Sequence, residues 1–397
     1  MVLPESTVKL GTSKSCIREL AAYGAVRKAE IGAENVFDFS LGNPSIPAPD
    51  CVNETIAELL KGDSVQLHGY TSAAGNDSLR KAIADDLNAR FGTHMEAGLI
   101  FVTVGCAGAL AISFKATLLP GDEVVALAPF FPEYKVYVEN AGGTLVTVQP
   151  REGDFQLNLE GLEAAVTERT KAVIINSPNN PSGVILSAES LTELAQVLHT
   201  AAAKYGHEIF LICDEPYREL AYDGQEVPCV FHFYENTILC YSFSKSMSLP
   251  GERIGYIAVN DRMPERSLVF TSIQGAARSL GYVNAPSLMQ RVIEKCLGAT
   301  SDVSKYKENR DLLVDGLRAM GYQCVRPDGA FYLFVKSPIP DANVFSEHAK
   351  KYELLLVPSD DFGCPGYVRI AYCVSRDMIE RAMPHFKQLA IEYGLTK

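Results

Sequence analysis

Between residues 99 and 241 the chain alternates two kinds of segment. Short apolar runs rich in β-branched residues, at 99–104, 123–128, 145–148, 172–176, 209–213 and 237–241, read as strands. Helical spacing at 107–118, 132–141, 159–166 and 188–205 falls between them. Short, fully apolar strands interleaved with helices predict an α/β fold, with a mainly parallel sheet covered by helices on both faces. In such sheets ligands bind beyond the carboxyl ends of the strands, so those ends are where chemistry is sought first.

The flanks follow a different rhythm. Residues 15–32 form an amphipathic helix and 36–40 a short strand. Asp50 caps a helix that runs to about residue 61. Leu79, Ile83 and Leu87 recur at i, i+4 and i+8 in a helix at 77–91. The intervening Leu41-Gly-Asn-Pro-Ser-Ile-Pro-Ala-Pro-Asp50 cannot continue a regular element, and is either a linker or a loop held near a site. Beyond Asn284, helices at 285–296 and 303–320 precede strands near 331–335 and 367–371, with helices at 344–352 and 376–393. This reads as a second, smaller α+β unit. The expected division is a large domain at 46–284 and a small one from 1–45 and 285–397.

Composition narrows the classes. A chain of 397 residues exceeds one ordinary core and suggests about two domains. With 36 basic and 48 acidic residues the net charge is −12, which argues against a nucleic-acid partner. Ten cysteines are scattered without a C-x-x-C pair, the pattern of reduced thiols in a cytoplasmic protein. Seven histidines lack ligand spacing, so no metal site is expected. Residues 97–114 carry no charge over 18 positions, the lower edge of a membrane span. Gly98, Gly105 and Gly108 and a β-branched first half divide that stretch into strand, turn and helix instead, and no membrane partner is expected. Met1 to Leu10 lacks a basic segment followed by an apolar one, so no secretory signal is expected.

The strand ends carry the candidate chemistry. Gly105-Cys-Ala-Gly108 opens a helix, where free backbone N–H groups and the helix dipole make an anion cradle. Pro129-Phe-Phe-Pro-Glu-Tyr134 offers an aromatic to stack on a flat ring, or simply core. Asn176-Ser-Pro-Asn-Asn-Pro-Ser-Gly183 is a rigid turn that displays Asn179 and Asn180. Asp214-Glu-Pro-Tyr217 brings a carboxylate out of a buried strand. It either keeps a pyridine nitrogen protonated or caps a helix. In Tyr241-Ser-Phe-Ser-Lys-Ser-Met-Ser-Leu-Pro-Gly-Glu-Arg253, Lys245 suits Schiff-base chemistry on a phosphorylated aldehyde. Ser242, Ser244 and Arg253 are the groups one gathers around a phosphate. The other reading of that stretch is a solvated loop. Arg369, in a β-rich run, either binds a carboxylate bidentately or forms a structural ion pair.

Taken together and in this order, N-x-x-N-P-x-G, D-x-x-Y and S-x-S-K…R resemble the class I/II aminotransferases of pyridoxal-phosphate fold type I, the aspartate aminotransferase family. The resemblance runs from about Leu41 to the C-terminus. It implies a seven-stranded, mainly parallel sheet, a homodimer, and pyridoxal 5′-phosphate as cofactor. It further implies that Lys245 holds the cofactor and shuttles a proton. Asp214 would pair with the ring nitrogen, Asn180 and Tyr217 with the ring oxygen, and Phe131 would stack on the ring. Ser242, Ser244, Arg253 and the backbone of Gly105, Cys106 and Ala107 would hold the phosphate, with Tyr70 reaching in from the second subunit. Arg369 and the backbone of Gly42 would bind the substrate α-carboxylate.

Three departures bear on substrate. The chain has no tryptophan to stack on the ring. Ala107 stands where one branch of the family has a lysine for the distal carboxylate. Arg278 lies near, though not in register with, a distal-carboxylate arginine of another branch. The expected activity is ping-pong transamination between an amino acid and a 2-oxo acid, with dicarboxylic donors first and aromatic or neutral donors second. A β-lyase, a decarboxylase and a racemase share the same lysine and ring. Arg369 argues against the decarboxylase, because it keeps the carboxylate in place. A non-catalytic cofactor-binding regulator would need a DNA-binding domain, for which neither length nor charge is expected here.

Overall fold

The computed structural model describes residues 3–12 and 15–397; Met1, Val2, Ser13 and Lys14, part of the N-terminal stretch weighed above, lie outside the described residues. These residues form two compact units. The larger spans Pro44–Lys307 and Arg326–Ala330, and the smaller takes the described part of Met1–Asn43 with Glu308–Val325 and Phe331–Lys397.

The larger unit is built on a sheet of β1 (Ile100–Thr103), β2 (Glu123–Leu127), β3 (Thr144–Val148), β4 (Thr170–Asn176), β5 (Phe210–Asp214), β6 (Thr237–Ser242) and β7 (Gly255–Val259). Among the described residues it has seven strands, in the order β1-β7-β6-β5-β4-β2-β3. β2 through β6 pair in parallel, and β7 runs antiparallel to both of its neighbours. The apolar runs became strands because burial on both faces leaves no place for a polar residue: all four residues of β1 and all six of β6 are buried. Only 12 residues join β6 to β7, too few for the helical crossover that a parallel pair requires, so the chain turns back antiparallel. The helix at 188–205 was legible to the residue (Ala188–Tyr205), because Ser187 caps it and Gly206 closes it in the left-handed region.

Two expectations are corrected. Asp50 does not cap its helix. Pro49 occupies that position with no side-chain bond, and Asp50 is the first helical residue, where its charge suits the positive end of the dipole. Residues 285–307 fall in the larger unit rather than the smaller. There the helix Ser287–Cys296 packs on Asp50–Leu59 and Asp77–Phe91, and the buried Gln290 side chain accepts from the Asn76 amide at 2.7 Å.

Within the smaller unit, Tyr332–Lys336, Tyr367–Ala371 and Val357–Pro358 form an antiparallel sheet with Tyr367–Ala371 in the middle. Phe37–Asp38 pairs in parallel with Leu354–Leu355. Leu20, Val36, Leu355, Val357 and Phe362 form one of its buried clusters. Among the described residues, no helix is long and apolar enough to cross a membrane.

Candidate functional site

β1, β4, β5 and β6 end on one edge of the large sheet, and the cofactor-site candidates gather there. β1 delivers Gly105 at φ +82° to the start of helix α1 (Cys106–Thr117). A Cβ on Gly105 would lie 2.7 Å from Arg253 Nη2, so the absence of a side chain keeps this hollow open. Gly255, at the start of β7, has the same role: a Cβ there would strike the Tyr241 carbonyl and lie 3.1 Å from Gly105 Cα. The Ser242 and Ser244 hydroxyls are 2.8 Å apart and buried, and Ser242 also accepts from the Ser244 amide. Arg253 reaches the Ser244 hydroxyl at 3.5 Å while its guanidinium donates to the Pro250 carbonyl. Its backbone is at φ +52°, a conformation that costs a non-glycine residue about 1–2 kcal/mol and that here aims an exposed cation at the glycine hollow.

Lys245 lies in the short helix Phe243–Ser246, half-buried. Its turn is pinned from both sides. Tyr241 donates to the Ser246 hydroxyl at 3.0 Å, and Ser301 donates to the Ser246 carbonyl through both its amide and its hydroxyl.

The other end of the site centres on Asp214, the last residue of β5 and 5% exposed. Its Oδ1 accepts from the Cys106 thiol at 2.8 Å and its Oδ2 from the Tyr134 hydroxyl at 2.5 Å. Burial pushes the carboxyl up to about 6, against the pull of those two donors. Both donors are themselves held well above their ordinary values by burial and by the neighbouring anion, so each keeps its proton. Asp214 is therefore not a helix cap but a buried carboxylate with a side-chain donor on each oxygen.

The 176–183 loop braces this end. Asn176 donates to the Asp214 carbonyl at 2.7 Å and accepts from the Asn180 amide at 2.6 Å. Asn179 donates to the Pro129 carbonyl and accepts from Ser182, so it holds the loop, while the buried Asn180 is set beside Asp214's strand. Tyr217 is buried three residues beyond Asp214. Phe131 is half-buried, with its ring edge-on to Tyr134 at 5.8 Å.

Tyr70 is 98% exposed, and Arg278 is exposed near the end of the helix Arg266–Leu280. Gly42 and Arg369 belong to the smaller unit. There Arg369 is buried on Tyr367–Ala371 and donates through Nη2 to the Ser40 carbonyl at 2.6 Å. Its guanidinium stacks between the rings of Tyr332 (4.7 Å) and Phe362 (5.2 Å). Any side chain at position 42 would collide with the Tyr332 hydroxyl. Arg369 is thus a cation held by aromatic faces and a carbonyl, an arrangement suited to a carboxylate.

Sequence reasoning missed four of these groups. The Cys106 side chain was passed over for its backbone. Tyr134 closed the quoted aromatic stretch without a role. Tyr332 and Phe362 carried no signal beyond being aromatic. Among the described residues, no cluster of three or more His, Cys, Asp or Glu could hold a metal.

The arrangement fits pyridoxal phosphate. It combines a glycine hollow at a helix start, two serines and an arginine for a phosphate, a lysine amine for an aldehyde, and a buried carboxylate for a ring nitrogen. An open sheet carrying these groups at its strand ends defines a pyridoxal-phosphate enzyme of fold type I. More specifically, the chain belongs to the class I and II aminotransferases, whose family profile matches residues 34–386. It is 32% identical to the aspartate/prephenate aminotransferase of Thermus thermophilus over 88% of this chain and 89% of that one. It is 29% identical to aromatic-amino-acid aminotransferase 2 of Thermococcus litoralis, over 92% and 94%. Among solved structures it is similar to an aminotransferase from Eubacterium rectale, at 52% identity and TM-score 0.97, with 99% of each chain covered. The protein is a pyridoxal-phosphate-dependent aminotransferase.

Proposed function

We propose that this aminotransferase takes a dicarboxylic amino acid as donor, with a 2-oxo acid as acceptor. The observation that carries this reading is its likeness to an aspartate/prephenate aminotransferase along nearly the whole of both chains. The exposed cation Arg278, at the end of the helix Arg266–Leu280, is the candidate for the distal carboxylate. A second reading, aromatic donors, is favoured by the Thermococcus litoralis relative.

The roles follow from the chemistry at each group. When bound, pyridoxal phosphate supplies an aldehyde and an electron-accepting ring. Ser242, Ser244, Arg253 and the backbone amides of Gly105, Cys106 and Ala107 bind its phosphate. The Asp214 carboxylate holds a proton on the ring nitrogen, Asn180 and Tyr217 bind the ring oxygen, and Phe131 stacks on the ring face. The Lys245 amine holds the aldehyde carbon and moves a proton at the substrate Cα. Arg369 and the Gly42 amide hold the α-carboxylate, so that the bond broken is Cα–H. The fully exposed Tyr70 is an unfavourable place for a large aromatic ring. It is accounted for if the protein is a homodimer and Tyr70 reaches the partner's phosphate. Ten cysteines, all free among the described residues, favour a cytoplasmic setting.

The test is a half-reaction panel. The holoenzyme is mixed with single amino acids, and loss of the cofactor's visible band is followed. Aspartate and glutamate are expected to react fastest. Arg278→Ala should slow aspartate about tenfold or more while sparing alanine. Fast reaction with phenylalanine and none with aspartate would hand the assignment to the aromatic reading. Equal loss for aspartate and alanine would remove Arg278 from donor selection.

A further inference from the structure

Cys106 takes part in both ends of the cofactor site. Its main chain opens α1 beside the Gly105 hollow, where the first-turn amides have no partner within the helix. Its side chain turns the other way, into the buried space under Asp214. The thiol has one proton and two acceptors in reach, Asp214 Oδ1 at 2.8 Å and the Cys240 carbonyl at 3.3 Å. The nearer acceptor is also the charged one, so the proton goes to the carboxylate.

The charged and titratable groups around Asp214 include Tyr134 and Tyr137 on helix α2 (Glu133–Asn140), Cys240 on β6, Tyr217, and Glu215 next in the chain. Glu215 is itself an anion, held by Arg218 at 2.6 Å, and it disfavours charge on Asp214. Cys106 and Tyr134 donate to the Asp214 carboxylate, one to each oxygen. A buried carboxylate that loses one of two donors becomes harder to ionise and freer to rotate.

We propose that the Cys106 thiol is a positioning residue for the cofactor ring: with Tyr134 it orients and stabilises the Asp214 carboxylate, and so sets how firmly the ring nitrogen is held. This rests on the pairing of Asp214 with that nitrogen.

The test is retention of pyridoxal phosphate by the holoenzyme, measured as a dissociation constant by equilibrium dialysis from pH 5 to 8.5. Wild type, C106A and C106S are compared. The phosphate's own titration is common to all three and cancels in the comparison. Wild type should hold the cofactor best above about pH 6 and lose it as the pH falls and Asp214 is protonated. In C106A the carboxylate has lost a donor, so the midpoint should move up by roughly one pH unit, and binding should weaken about twofold at pH 7 and close to tenfold at pH 5. C106S restores a donor and should return both values to near wild type. An unchanged midpoint in C106A, or equal loss in C106A and C106S, would overturn the proposal and leave the thiol as filler. If C106A does not yield holoenzyme, C106V against C106S makes the same comparison with the space filled. Wild type that takes up no pyridoxal phosphate at any pH would overturn the cofactor reading itself, a result distinct from either.

Discussion

At the end of the site that we assign to the phosphate, Gly105, Ser242, Ser244 and Arg253 converge on a hollow kept open by missing side chains, and the arginine stays exposed. At the end that we assign to the ring, Asp214 is buried, and each of its oxygens accepts from a side chain that is buried as well. The first end works by redundancy, with several donors, buried serines and an exposed arginine among them, and none decisive. The second works by a single charge in a dry place, where each partner counts because water cannot replace it. Variants at the two ends should therefore differ in kind, and above all in their response to pH.

The largest effect is expected at Asp214. Its folded-state value, about 6, lies above the value near 4 of an unfolded aspartate, so its ionisation works against the apoprotein fold. That component of stability is fully present below about pH 4 and is lost as the pH rises through 6, by roughly 3 kcal/mol on a two-unit difference. The cationic ring nitrogen proposed as its partner would offset the loss. Asp214→Asn should cut transamination by about 10²–10³-fold. The same change should leave the apoprotein about as stable as wild type at pH 4, somewhat more stable at pH 5 and clearly more stable at pH 8. Paired melting curves of the apoproteins check this. Wild-type apoprotein no less stable at pH 8 than at pH 5, relative to the variant, would mean that Asp214 carries no such strain.

Much of this contrast could be read from the chain, though unevenly. The phosphate end was legible because it uses local sequence: a glycine turn before a helix, and serines and an arginine within 12 positions. Asp214 was legible because a carboxylate at the end of an apolar strand needs a reason. Its donors were not. Cys106 and Tyr134 lie 108 and 80 positions away from it, and a thiol and a phenol are ordinary core residues until the fold brings them to a carboxylate. β7 was missed for a related reason. The sequence pattern predicts strands separated by full helices, and β7 returns through the lysine segment, whose four-residue helix is too short for a crossover. The aromatic faces around Arg369 likewise come from residues 332 and 362, which only the folded chain places against it.

The next effect in size is expected at Gly105. An alanine there meets two obstacles, the φ of +82° and the Arg253 Nη2 atom 2.7 Å from its Cβ. The backbone strain is about 1–2 kcal/mol. Arg253 is long and can swing away, but then the cation leaves the hollow. Gly105→Ala should weaken retention of pyridoxal phosphate by about 10–100-fold. The loss should be of similar size from pH 6.5 to 8.5, where Asp214 stays charged. A loss that varied steeply with pH would show that the two ends are not separable, and would locate the coupling at the start of α1.

Ser244→Ala is expected to do least, and it puts the idea of redundancy most directly at risk. Ser244 shares its hydroxyl with Ser242 and lies at the limit of Arg253's reach, so its loss still leaves a serine, a guanidinium and the helix amides on the phosphate. With the neighbouring donors left to take up the phosphate oxygen, losing one hydroxyl among several should cost about 0.5–1.5 kcal/mol, or roughly two- to tenfold in the dissociation constant. The pH midpoint of retention should not move, because nothing at this end titrates against Asp214. If Ser244→Ala instead shifted the midpoint, as expected of Cys106→Ala, the serine pair would be acting on the carboxylate through the cofactor. The division into a tolerant end and a charged end would then fail.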